Sequence, residues 1–303
     1  GILASKNWVA CEKFISSTNC VVLTSWLSRL LVERLERKAA EIREFYEYFG
    51  NNWEQTFYYF LSRNFGFKVN ASPFALLAQQ TPYSLLAKLK NDPIRLEALL
   101  FGQAGMLHDK FKDAYPALLL KEYQFLRHKY NLTPIEKSLW KHSKLRPSNF
   151  PSIRISQFAQ LVFRSTGLFS KLIETNNINQ LKELLTVTCT AYWRDHYLFD
   201  KQSVSRDKSL GTDAVTNILI NTIVPLKFVY GTDTLRHDLR EGALNLLTSL
   251  PAERNSIILN WIKIGIQPSN AGEGQALLEL KKNYCTPKKC LRCSIGHHFI
   301  RKS

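Results

Sequence analysis

Methionine is almost missing from this chain: Met106 is the only one among 303 residues. Acid is also scarce. Asp and Glu number 25 against 41 Lys and Arg, which leaves a formal charge of +16. No apolar run approaches the roughly 18 residues that cross a bilayer, so no membrane partner is expected. The opening Gly1-Ile2-Leu3-Ala4-Ser5-Lys6 lacks the basic-then-apolar order of a secretory signal. The chain has no G-x-S-x-G elbow, P-loop, dinucleotide fingerprint or H-E-x-x-H pair. It has no block of five or six like charges and no convincing repeat of about 30 to 45 residues. With 45% hydrophobic and 22% charged residues it is not disordered, collagen-like or a disulfide miniprotein. The start at Gly1 without an initiator methionine leads us to expect a fragment or processed product whose N-terminal domain is missing.

What is present reads as helix. From residue 22 to 49, Leu23, Trp26, Leu27, Leu30, Leu31, Leu35, Ile42, Phe45, Tyr46 and Phe49 recur mostly at three- or four-residue steps. Gly50 is placed to cap that helix. Asn52 three before Gln55, Ser72-Pro73, Thr81-Pro82, Asp92-Pro93 and Thr133-Pro134-Ile135-Glu136 are start signals. Helices of about 10 to 15 residues joined by short turns follow. The expected fold is all-α, with orthogonally packed helices and a small C-terminal Cys-rich loop. The expected divisions are a docking segment over 1–20, helical lobes over 21–143 and 144–283, and the Cys-rich loop over 284–303. Pro147 and Pro151 interrupt the chain between the lobes, a polar loop covers 200–208, and Pro225 and Gly231 break the helical pattern of 213–263.

A charge of +16 attracts polyanions, so DNA or RNA is an expected partner. Arg146 and Arg154 flank the proline-bounded turn, with Lys141 and Lys144 near. They are placed either to hold a phosphate between guanidiniums and backbone N–H groups or to pair with carboxylates. Tyr192-Trp193-Arg194-Asp195-His196-Tyr197 interleaves aromatics with Arg194 and His196. This pattern suits base stacking or a buried core, and Asp195 with His196 can form an acid–base pair. Glu97 lies in an apolar helix, and Gly102 and Gly105 beside it suggest close helix packing.

Three of the six cysteines fall close together. Cys285-x4-Cys290-x2-Cys293, with His297 and His298 behind, gives three thiolates and an imidazole for a structural zinc ion. An iron–sulfur cluster is the less common alternative. A disulfide and free thiols remain open. Lys281, Lys282, Lys288, Lys289 and Arg292 would offset thiolate charge and add to a phosphate-binding set. The local clustering reads as a reducing, cytoplasmic compartment.

Several motifs together resemble the bacterial family called domain of unknown function 2851. They are Leu31-Val32-Glu33-Arg34-Leu35-Glu36-Arg37-Lys38, Asn52-Trp53-Glu54-Gln55, the run Glu97 to Gly105, Leu145-Arg146-Pro147-Ser148-Asn149-Phe150-Pro151 and Tyr192 to Tyr197. The likeness runs from about residue 20 to the end. It implies a longer chain with an additional N-terminal region and carries no activity with it. A shorter likeness joins Gln275 to Leu280 and the cysteine loop to the iron–sulfur loop of endonuclease III-type DNA glycosylases. The first cysteine gap is shorter here, and no fourth cysteine follows. The expected function is therefore nucleic-acid association, as the binding module of a larger nuclease-like or repair-like chain. The alternatives are a helical scaffold that docks its own missing N-terminal domain and an enzyme acting on a small anionic substrate.

Overall fold

The computed structural model describes residues 7–107 and 110–300, without the side chains of His298 and Ile300. The expected all-α architecture is what it shows. The only sheet among the described residues is a two-stranded antiparallel hairpin, β1 (His196–Leu198) with β2 (Lys201–Gln202).

The chain divides into two compact units, and neither boundary falls at the 141–151 loop. One unit joins the two ends of the chain, 1–44 and 224–303; the other is the continuous middle, 45–223. The sequence suggests a break at the prolines because local signals mark turns. Pairing of the two chain ends is a long-range contact that leaves no local mark.

The unit of the chain ends is built on most of α1 (Cys20–Tyr48), α11 (Val224–Asp233), α12 (His237–Ser249), α13 (Ser256–Lys263), α14 (Ala271–Glu279) and α15 (Ser294–Ile300). The apolar stripe of α1 supplies Trp26, Leu27 and Leu30 to a core shared with Ile258, Trp261, Leu277 and Ile295. Val9, Cys11 and Ile15 join the same core, and Trp8 packs edge-on to Trp261 at 5.0 Å. The expected docking segment is thus taken up by its own unit from Trp8 onward. Its first six residues lie outside the described ones.

The middle unit holds α2 (Trp53–Phe65), α3 (Ala71–Gln80), α4 (Tyr83–Leu89), α5 (Pro93–Gln103), α6 (Ala114–Tyr130), α7 (Pro151–Arg164), α8 (Leu168–Glu174), α9 (Ile178–Leu185) and α10 (Thr212–Ile218). Asn52 caps α2 by accepting from the Gln55 N–H, and Asp92 caps α5 by accepting from the Arg95 N–H. Tyr58, Phe65, Phe74, Phe101, Phe158 and Trp193 fill the core. Gly102 is required by packing: a Cβ there would stand 2.1 Å from the Tyr123 ring.

Three local expectations fail. Thr133-Pro134-Ile135-Glu136 opens no helix. The Ile135 N–H donates to the Gln103 carbonyl and the Gln103 side chain donates to the Thr133 carbonyl, which holds the segment extended at the end of α5. Ser72-Pro73 lies inside α3, whose cap position is Asn70. Neither Pro225 nor Gly231 breaks the helix, since both lie inside α11. A π-helical turn at Leu219–Ile223 precedes it, and such a turn absorbs the amide that proline cannot donate. The uninterrupted helix Thr212–Asp233 is consequently long and apolar enough to cross a membrane by length and composition, contrary to the expectation of no such run. Most of its apolar window is buried within the fold.

Candidate functional site

In the middle unit, α5 and α7 pack together and carry a buried polar pair. Glu97 on α5 accepts from Ser156 Oγ on α7 at 2.6 Å and from Thr190 Oγ1 at 3.2 Å. Its side chain is fully buried with hydroxyl partners, and burial pushes its pKa up to about 8 despite those hydrogen bonds. Burial therefore favours the protonated form of Glu97. Cys189 is buried beside it, and burial lifts its thiol to about 12. That thiol stays protonated and is a poor nucleophile.

Thr190 links this pair to the aromatic motif. Its hydroxyl lies 3.2 Å from Tyr115 Oη, and the Tyr115 ring stacks on Tyr192 at 4.7 Å. Tyr192 stacks in turn on His196, with centroids 4.0 Å apart and planes within 9°. Trp193 turns the other way into the core, stacked on Phe101 at 5.2 Å. The motif thus divides between the two expectations: Trp193 is core, and half-buried Tyr192 stacks on buried His196.

His196 stands between two carboxylates. Its Nδ1 is 2.8 Å from Asp195 Oδ1, and its Nε2 is 3.3 Å from Asp113 Oδ2. Nδ1 is also 3.0 Å from the Tyr192 carbonyl. Tyr192 Oη donates to Asp113 Oδ2 at 2.7 Å and accepts from the Asp200 N–H at 3.1 Å. Asp200, at the hairpin turn with φ +58°, accepts from the N–H groups of Lys112 and Asp113 at 3.0 Å each. The backbone of the Asp113 loop is held by the hairpin, and its carboxylate by Tyr192. The hydrogen bond from His196 holds Asp195 below the usual carboxylate range, and the two N–H groups do the same for Asp200. Asp195 and His196 are legible in the sequence. Asp113 is not, since nothing around Lys112-Asp113-Ala114 resembles a motif.

The expected phosphate set is scattered in character. Lys144 and Arg146 are exposed on the loop before α7, Lys144 with φ +61°. Arg154 is not beside them at the surface. It points from α7 into the interior, 6% exposed, where Gln157 Oε1 and Asn149 Oδ1 accept from its guanidinium and Phe67 lies beneath it at 4.7 Å. Burial lowers its pKa to about 10. It ties the proline turn to the body through an amide, where the sequence reading offered carboxylates. Arg194 is exposed and pairs with exposed Asp207 at 3.2 Å. Lys208 is buried, donating to the Trp193 and Arg194 carbonyls with its Nζ 4.2 Å from the Tyr197 ring centroid. It braces the backbone of the Tyr192–Tyr197 motif.

In the unit of the chain ends, Lys288, Lys289 and Arg292 are exposed. Cys290 and Cys293 are buried, and Cys285 is half-buried. His297 is exposed and follows Cys293 by one helical turn, its N–H donating to the Cys293 carbonyl. Among the described residues no group of three or more His, Cys, Asp and Glu side chains is arranged to hold a metal ion.

No curated protein and no solved structure matches the chain. One family model does, over residues 1–256, and so leaves the cysteine loop outside the matched region. With most of its length matched, the chain belongs to the family described as protein of unknown function (DUF2851).

Proposed function

We propose that this chain binds nucleic acid, as the binding module of a larger nuclease-like or repair-like protein. The observation that carries this reading is charge: an excess of 16 positive charges, with Lys141, Lys144 and Arg146 together on one exposed loop. Phosphate backbones are recognised by such groups with little demand on geometry. Arg194 adds to the set, because an exposed pair with Asp207 is weak enough for a phosphate to replace it.

Fluorescence anisotropy of labelled duplex and single-stranded DNA and RNA tests the reading, at low and near-physiological salt. Binding should survive the higher salt, with a steep salt slope. The Lys144→Glu, Arg146→Glu variant should weaken binding about tenfold or more and flatten the slope by about two phosphate contacts. No binding of any strand form near physiological salt would sink the proposal.

The Asp113–His196–Asp195 arrangement favours a second reading, an enzyme that uses His196 as general acid–base on a phosphate-bearing substrate. Incubating the same oligonucleotides and a panel of small phosphate esters with the chain separates the two. Product that disappears in His196→Ala while binding remains supports it, and no product from any substrate ends it.

A further inference from the structure

Cys11 is 274 positions from Cys285, yet the fold brings it to the C-terminal loop. Cys11, Cys293 and, at the edge, Cys285 belong to the same apolar cluster as Trp26, Trp261 and Ile295. The contact is held from both sides. Lys281 Nζ donates to the Trp8 carbonyl at 2.6 Å and sits over the Trp8 ring, while Tyr284 packs edge-on to Trp26 at 5.2 Å. We propose that Cys11, Cys285, Cys290 and Cys293 are the four ligands of a structural zinc ion, with Cys11 in the place that the sequence spacing gives to His297.

The loop is shaped for this. Cys285 ends a π-helical turn, Leu280–Cys285, and the Lys289 N–H returns to the Tyr284 carbonyl at 2.8 Å. Lys288 takes φ +54° within that return. A 3-10 turn, Cys290–Arg292, closes with the Cys293 N–H on the Cys290 carbonyl. A two-residue gap across a tight turn is how two thiolates meet one ion. Gly296 lets α15 pack against this turn, since a Cβ there would lie 2.4 Å from the Cys290 carbonyl oxygen.

Three N–H groups surround the Cys293 sulfur. The backbone N–H groups of Ile295 and Gly296 face it, and the Trp26 indole favours its thiolate. Trp26 is 3% exposed, and its Nε1 has no hydrogen-bond partner that meets full geometry. A buried N–H directed at a sulfur is a typical outer partner of a metal thiolate. Each thiol loses its proton to solvent as its sulfur binds, and the four thiolates and Zn²⁺ sum to a charge of −2. Exposed Lys282, Lys288, Lys289 and Arg292 offset that charge. Cys11 and Cys293 lie in one apolar cluster with Cys285 packed against it, and Cys290 is buried three positions before Cys293. The four side chains are not arranged around an ion, so binding requires them to reorient. His297 is exposed and contributes only its backbone N–H.

The test is elemental analysis of the full chain, purified under reducing conditions without added metal. About one zinc per chain is expected. Cys11→Ser should lose it, and His297→Ala and Cys20→Ser should keep it. Trp26→Phe should keep it with affinity lowered about tenfold. Because Cys11→Ser alone could fail to fold, the wild-type chain is also loaded with cobalt(II) and its absorption read. A four-sulfur spectrum supports the site. A spectrum with three sulfurs and one nitrogen overturns the role of Cys11. Iron with acid-labile sulfide, a disulfide among the four cysteines, or no bound zinc or cobalt overturns the proposal.

Discussion

Each unit buries one glutamate, and the two behave in opposite ways. Glu279, in the unit of the chain ends, is 3% exposed; Glu97, in the middle unit, is fully buried. Burial pushes both carboxyls up. At Glu279 the rise is outweighed by hydrogen bonds from Arg37 and Asn283 and by the charges of Arg37 and Arg34, so the group sits below its ordinary range. Glu97 has only hydroxyl partners and stays raised. The lesson is that burial sets the cost of the charge, and a guanidinium decides whether the charge is kept. One carboxylate serves two arginines at Glu279, which leaves positive charge in excess. Burial, then the Arg37 charge, consequently lowers Arg34.

The comparison breaks most visibly at Glu279. Glu279→Gln removes the anion and leaves the largely buried Arg34 without its carboxylate, while Arg37, 43% exposed at its side chain, turns to solvent. The expected loss of unfolding free energy is about 2 to 3 kcal/mol, below the usual cost of stranding one half of a fully buried pair because Arg37 stays hydrated. Urea denaturation at neutral pH measures it. A loss below about 1 kcal/mol would mean that water or Glu253 already compensates the arginines.

Glu97→Gln should cost less, because burial already favours the protonated form of the native group. The expected loss near pH 6 is about 1 kcal/mol, the price of an altered hydrogen bond to Ser156. The pH dependence is the sharper readout. Between the ordinary 4.5 and about 8 the folded Glu97 holds a proton that the unfolded chain has released. Stability from this group therefore falls as pH rises through that window. Denaturation of wild type and Glu97→Gln at several pH values should show the difference shrinking from pH 6, reversing near about pH 7 and levelling off above about pH 8. The variant should gain on the order of 2 kcal/mol by then. Parallel curves for the two proteins would place Glu97 in its ionised state.

The same contrast explains how much the sequence disclosed. Helices came through because caps and apolar spacing are local: Asn52, Asp92 and the stripe of Trp26, Leu27 and Leu30 act where they are written. Thr133-Pro134 carried an equally good local signal and failed because Gln103, 30 positions away, captures its carbonyl. The candidate site divides in the same way. Asp195 and His196 are adjacent and legible, whereas Asp113 reaches His196 only through the packing of α6 and the hairpin. Glu97 is visible as an acid in an apolar helix, but its partners Ser156 and Thr190 are not. Cys11 was counted among the cysteines, and only the pairing of the chain ends gives it neighbours.

The smallest expected effect bears on the charge excess around Glu279. Lys38 is half-buried one turn from Arg34, and burial, then the Arg34 charge, lowers its pKa to about 7. Between about 7 and its ordinary 10.5 the unfolded chain holds a proton that the folded chain has released, so stability from this group rises with pH across that window. Below it the full cost of a third cation is present. Lys38→Met should therefore stabilise the chain near pH 6, by less than about 1 kcal/mol given its partial exposure. The gain should fade as pH approaches 10. Its stronger use is in combination. Once Glu279→Gln has removed the shared anion, the third cation costs more, so the double variant should recover part of the loss rather than add to it. Strict additivity of the two changes would mean that Lys38 is screened from Arg34 and Arg37, and that the excess of positive charge has no energetic consequence there.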